Sequence, residues 1–220
     1  MKTIAVIARK GGSGKTTVAV HVALAAHLRS RRTLMADTDP QRSSSVVLRS
    51  RRGAGPEVAE TSGPKLFALQ VAAQRSGVNT MVIDTPAGAE DEVAHAIVLA
   101  DLSLLVIRPT FLDFAAAIRT AEVLRRLRKP GLVVLNQAPP PRAGVEAPIV
   151  KKAQEAARIM RLSVAPTIVR ARAAYQSVLE QGCSAEELGG ATPASQEIAE
   201  LWSFIERLAF GAPKPAELCA

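Results

Sequence analysis

Residues 8–17 read ARKGGSGKTT, and the fold turns on what this stretch can wrap. It follows a short β-branched and apolar run, TIAVIA at 3–8. It leads into a helical pattern from Lys15 to about Arg31, in which Val18, Val22 and Ala25 return to one face. A strand, a glycine-rich turn and a helix in that order make an anion cradle. Glycines let backbone N–H groups converge without a Cβ in the way, and the helix N-terminus adds its positive dipole end. In such a cradle Lys15 is placed to reach the β- and γ-phosphates of a nucleotide, and Thr16 offers a hydroxyl to Mg²⁺. Gly11, Gly12, Ser13, Gly14 and Thr17 complete the expected contacts. The plainer reading is a turn that only links strand to helix, and the order of strand, loop, Gly-Lys-Thr and helix argues against it. Two departures from the usual pattern remain. Arg9 stands where the spacing asks for glycine, and a second lysine, Lys10, sits at the mouth.

Outward from the loop, short apolar runs alternate with helical patterns. TLMAD (33–37), TMVID (80–84), LSLLVI (102–107) and GLVVLN (131–136) read as buried strands, with a further short strand near 164–169. Helices are expected from the DPQ at 39–41 onward, near 91–99, 112–127 and 147–160, and twice more before the C-terminus. The Gly-, Pro- and charge-rich stretch 50–65 reads as a loop, and APPPRAG (138–144) as a rigid one. This alternation predicts an α/β fold, a mainly parallel central sheet with helices on both faces. Ligands in such sheets bind at the carboxyl ends of the strands. Lys10–Thr17, Asp37–Gln41, Asp84–Gly88, Arg108–Asp113 and Asn136 all fall there.

Three of these residues are acidic. Asp84 closes a buried strand, where an unpaired carboxylate is costly. A Mg²⁺ shell reached through water would justify it. Asp37 and Asp39 leave the neighbouring strand end. One such aspartate is readily a helix cap, but three beside a phosphate loop are better explained by metal and water.

Composition narrows the setting. Hydrophobic residues make up 48% of the 220-residue chain but aromatics only 3%, so alanine, valine and leucine must fill the core. One domain over 1–220 is expected, with a flexible tail from about residue 211. The formal net charge is +8, which favours polyanionic partners or serves solubility alone. Cys183 and Cys219 have neither metal-ligand spacing nor a disulfide framework, which suits a reducing cytoplasm. No apolar run approaches a membrane span, and no leader is read before the first strand.

KGGSGKTT, DTDPQ and VIDTPAG together resemble the ParA/MinD family of deviant Walker A P-loop ATPases, whose pattern carries the extra lysine at the position of Lys10. RPTFLDFAAA (108–117) and VRARAAYQSVLEQG (169–182) look like its short ParA, or ParF-like, subgroup, and the similarity runs over nearly the whole chain. The resemblance implies an ATP hydrolase with Mg²⁺ as cofactor and weak intrinsic activity. Two subunits would close face to face on ATP. Lys10 would cross to the partner's phosphates while Lys15 serves its own. Asp39 would position the attacking water, Asp37 and Asp84 would support the metal with Thr16 as ligand, and Gly88 would sense the γ-phosphate. Charge developing on a transferred phosphoryl group needs cations already in place. Adenine is favoured because LNQAPP lacks the aspartate of a guanine-reading set. Asn136 and Pro139–Pro141 are then candidate base contacts, although Asn136 equally suits a turn ending its strand.

Family members move DNA, position protein assemblies, regulate division sites or mature cofactors. The C-terminal LWSFIERLAF offers an apolar face at Trp202, Ile205, Leu208 and Ala209 with Arg207 as its one basic residue, so it reads as core-packing and not as a membrane anchor. Neither cysteine falls where a shared iron–sulfur cluster would need one. Arginines cluster at 29–32, 49–52, 125–128 and 170–172. The family's non-specific DNA surface involves basic residues in its C-terminal third, which points to Arg170 and Arg172 and more weakly to Lys151 and Lys152. The expectation is therefore a cytoplasmic, nucleoid-associated partition ATPase with a small centromere-binding adaptor that stimulates it and no membrane partner. The alternatives are an ATPase that positions a protein assembly on the nucleoid and a MinD- or maturation-type ATPase with a non-DNA cargo.

Overall fold

Side chains alternate across the sheet with a period of two, and that alternation builds two cores. In β1 (Lys2–Ile7), Ile4 and Val6 face one core while Ala5 and Ile7 face the other. β4 (Thr80–Asp84), β5 (Leu102–Ile107) and β6 (Gly131–Leu135) repeat the pattern, for example Leu104 and Val106 against Leu105 and Ile107. The computed structural model describes residues 1–211; Cys219 and the expected flexible tail beyond Gly211 lie outside them. With β2 (Thr33–Asp37), β3 (Glu57–Glu60) and β7 (Ser163–Val164), the strands among the described residues form one parallel sheet in the order β3-β2-β4-β1-β5-β6-β7.

Both faces are covered, as a parallel sheet requires. On one lie α1 (Lys15–Leu28), α2 (Ser43–Arg49), α7 (Ala173–Leu179) and α8 (Pro193–Phe210). On the other lie α3 (Leu66–Arg75), α4 (Glu90–Leu99), α5 (Phe111–Arg126) and α6 (Pro148–Ile159). The α1 sequence is apolar nearly all round because it is wrapped, with Val18 through Ala26 buried between sheet and neighbouring helices. α8 buries Trp202, Ile205 and Ala209 against that core and leaves Leu208 exposed. Among the described residues no helix is long and apolar enough to cross a membrane.

Three local expectations need correction. The stretch 50–65 is not all loop, because β3 pairs with β2 at its edge and a 3₁₀ turn follows at Gly63–Lys65. α2 begins at Ser43, after Arg42 in the left-handed region (φ 54), and not near Asp39 or Pro40. The strand expected over 164–169 shrinks to Ser163–Val164, after which the chain keeps to the edge of β6 through the Ala165 and Val169 amides, which donate to the Val133 and Leu135 carbonyls, and through the Ala138–Arg170 bridge.

Candidate nucleotide-binding site

The loop of residues 8–17 sits at the carboxyl end of β1, between β4 and β5. Gly12 (φ 74) and Gly14 (φ 84) take the left-handed conformation that lets it double back into α1. None of the backbone N–H groups from Lys10 to Thr17 donates to a backbone carbonyl among the described residues, so they remain available to an anion. From behind, the end of β6 holds the loop in shape. The Asn136 amide donates to the Ser13 carbonyl at 2.7 Å, and Gln137 donates to the Gly12 carbonyl at 3.0 Å. A Cβ on Gly14 would lie 2.2 Å from Asn136 Nδ2. Gly14→Ala should therefore destabilise the chain by about 2–3 kcal/mol, combining left-handed strain with the clash. Thermal melts of Gly14→Ala, Asn136→Ala and the double variant should be less than additive, since one residue's loss makes room for the other's gain. Full additivity would dissociate the two.

Beneath the loop lie the charges. Lys15 is buried, and burial lowers its pKa against the opposing pull of Asp84 and then Asp39. Asp37 and Asp84 are register partners on β2 and β4, and both are fully buried. Their environments differ. Asp37 accepts from the Ser45 amide at 2.9 Å, the Ser45 hydroxyl at 2.8 Å and the Asp39 amide at 3.1 Å. It anchors the start of α2. Neither oxygen of Asp84 has a hydrogen-bond partner among the described residues. Burial first, and the like charge of Asp37, push the Asp84 pKa up to about 7, with the Thr16 hydroxyl, Lys15 and Ser44 pulling the other way. A buried, orphaned carboxylate beside a threonine hydroxyl fits a hard cation. Asp39 is half-buried and accepts from the Gln41 amide at 2.9 Å. Lys10 stands at the mouth with no ion pair among the described residues, whereas Arg9 is bound to Glu90. Gly88 (φ 73) faces the Arg9 carbonyl across the entrance.

A cavity of about 390 Å³ continues from the loop, lined by Thr17, Asn136, Gln137, Ala171, Tyr175 and Gln176 among others. Its size and place suit a base. Asn136, only 3% exposed, braces the phosphate loop from the wall of this cavity. The two arginines expected to meet DNA are held in ion pairs. Arg170 forms a two-pronged bridge to Glu146 (2.6 and 2.9 Å) and donates to the Pro139 carbonyl, and Arg172 binds Glu197 at 2.6 Å. Glu197 accepts further from the Tyr175 hydroxyl and the Arg170 amide. These arginines thus fix the wall of the cavity, while Lys151 and Lys152 are exposed on α6. Sequence reasoning missed Gln137, Ser45 and Glu197. Only Gln137, next to Asn136 at a strand end, carried a usable signal.

A parallel sheet with a glycine-rich anion loop at the end of its first strand and paired carboxylates on the next two defines a P-loop nucleotide-binding domain. The chain belongs to the CobQ/CobB/MinD/ParA nucleotide-binding domain family, whose model matches residues 4–202. It is 28% identical over 201 residues to the maintenance of carboxysome distribution protein A of Halothiobacillus neapolitanus, covering 85% of this chain and 88% of that one. The protein of that name from Gloeobacter kilaueensis is 36% identical over 121 residues, which span 54% of this chain and 55% of the relative. In fold it matches the septum site-determining protein MinD of Pyrococcus horikoshii, solved with Mg-ADP, with a TM-score of 0.74 at 18% identity over 94% of this chain and 96% of that one.

Proposed function

We propose that this chain is an ATPase that uses an ATP-dependent homodimer to position a protein assembly over DNA. The observation that carries the reading is the pairing of an open row of loop N–H groups with the buried Lys15 and the orphaned Asp84 beneath them. Thr16 and Asp84 would hold Mg²⁺, which when bound neutralises charge on the phosphates. Asp37 would keep α2 and Asp39 in place from behind, through the bonds it makes to Ser45 and Asp39. Lys15 would reach its own subunit's phosphates and Asp39 would orient the attacking water. Lys10, at the start of the loop and without an ion pair among the described residues, would reach the partner subunit's phosphates. A cation delivered only on dimerisation makes hydrolysis depend on assembly.

The kind of cargo rests on the relatives. The likeness over 201 residues is to a protein named for carboxysome distribution, which favours a protein assembly over a plasmid or chromosome. Non-specific DNA would serve as the track and a small adaptor protein would stimulate the ATPase. The test is deletion of the gene with imaging of both cargo classes. Loss of even spacing of a protein assembly, with faithful plasmid and chromosome inheritance, is the expected result. Faulty DNA inheritance with normally spaced assemblies would return the reading to DNA partition.

For the rim lysine, Lys10→Ala should bind ATP with near-normal affinity yet lose at least about tenfold in adaptor-stimulated turnover, since a transition-state cation is missing. Light scattering with ATP should find it monomeric or weakly dimeric. Normal stimulated turnover would remove the trans role.

A further inference from the structure

The segment RPTFLDFAAA at 108–117 joins β5 to α5, and its first residue reaches the phosphate loop. β5 is the direct neighbour of β1, so the two strands end side by side and Arg108 leaves the sheet next to the loop. A Cβ placed on Gly12 would lie 3.7 Å from Arg108 Nη1, and glycine puts no side chain between them. The two edges of this guanidinium differ. Nε and Nη2 both donate to Asp113 at 3.3 Å, while Nη1 has no acceptor among the described residues. The side chain is 33% exposed, so the open edge is not sealed in.

The start of α5 holds the arginine in place. Thr110 caps that helix: its hydroxyl oxygen accepts from the Asp113 amide at 3.3 Å, and the hydroxyl donates to the Asp113 carboxylate in turn. Asp113 is buried, and the reciprocal cap fixes the carboxylate against which the guanidinium lies. Phe111 and Leu112 are exposed, so packing does little to set the entry of the helix and these polar bonds set it instead. The cap itself needs only the threonine and the aspartate. The arginine adds a counter-charge for a buried carboxylate, and the ion pair along one edge leaves the other edge free and aimed.

The loop also has a direction. The base-sized cavity opens at Thr17. A nucleotide seated there runs its phosphates along the loop away from Thr17, and the last of them falls at the limb of Lys10 to Gly12. We propose that Arg108 binds the terminal phosphate of ATP held by its own subunit's loop, with Asp113 as its positioning residue; this rests on the ATPase reading above. A guanidinium nitrogen with two free N–H groups suits phosphate oxygens. Lys15 supplies charge from beneath and Lys10 is directed to the partner subunit, so Arg108 is a cation that acts without a dimer. ADP has no group at that place. The contact therefore separates ATP from ADP, and the single subunit prefers ATP before it assembles.

The test is isothermal titration with Mg-ATP and with Mg-ADP, alongside melting curves. Arg108→Gln should weaken ATP binding by about tenfold and leave ADP binding within about twofold of wild type, the size of one lost charge-assisted contact. The R108Q/D113N variant removes both charges of the pair. It should melt above Arg108→Gln and keep the same loss of ATP preference. If Arg108→Gln melts lower yet holds both nucleotides as wild type does, the arginine only shields Asp113 and the proposal fails. Equal weakening of ATP and ADP would place the contact on the inner phosphates or on the loop's shape, and would also overturn it. The same titration in a Lys10→Ala background, which is expected not to dimerise, should still show the tenfold loss. If the loss vanishes there, Arg108 acts across the dimer and the proposal fails while the ATPase reading stands. A wild-type chain that binds neither nucleotide overturns the ATPase reading itself.

Discussion

Lys15→Ala is expected to weaken ATP binding by about 10²–10³-fold, because it removes a charge-assisted contact made from a buried position. Lys15 is 7% exposed and lies under a loop whose N–H groups have no backbone acceptor among the described residues. No neighbouring lysine can replace it from within, since Lys10 stands outside at the rim. The same change strips Asp84 of its nearby cation, which moves that carboxyl further toward its protonated form. Isothermal titration with Mg-ATP measures the first effect. Wild-type affinity in Lys15→Ala would mean that the loop does not hold the phosphates.

Asp84→Asn should have an opposite pair of effects. The native carboxyl, with its pKa pushed up to about 7, holds a proton more tightly than in the unfolded chain. Between about pH 4 and 7 folding therefore takes up a proton, and stability contributed by the protonated form is lost as pH rises through 7. The shift corresponds to roughly 4 kcal/mol in the ligand-free protein. The asparagine variant carries no such charge. It should melt several degrees above wild type at pH 8, close to wild type at pH 5, and show no stabilisation by Mg²⁺ beyond that given by ATP alone. Equal melting of the two proteins at pH 8 would show that the buried charge is compensated without a metal.

The expected site residues came from local chemistry and the misses from tertiary contacts. The phosphate loop needs glycines, a lysine and a threonine at fixed spacing, and these are consecutive in the chain. The buried strands declare themselves because a sheet covered on both faces demands continuous apolar runs. β3 did not, since EVAE is short, charged at both ends and set among glycine and proline, as an edge strand is. α3 (LFALQVAAQR) was missed because Phe67 and Ala68 are exposed and only Leu66 and Ala73 are buried, which blurs the helical stripe. For the arginines the residue types were visible but the partners were not. Arg170 meets Glu146 and Arg172 meets Glu197 across 24 and 25 residues, and Arg125, Arg126 and Arg128 at the α5 end form no ion pair among the described residues. Sequence spacing carries no information about that difference.

One segment has a reach beyond its size. Asn136 and Gln137 brace the Ser13 and Gly12 carbonyls with their side-chain amides, and the same two residues line the cavity that suits a base. The two ends of a bound nucleotide would therefore be felt by adjacent positions of one short segment. A base that fits poorly would tug on the phosphate cradle, and selectivity for the base would surface as a faster departure of the whole nucleotide and not as a slower arrival.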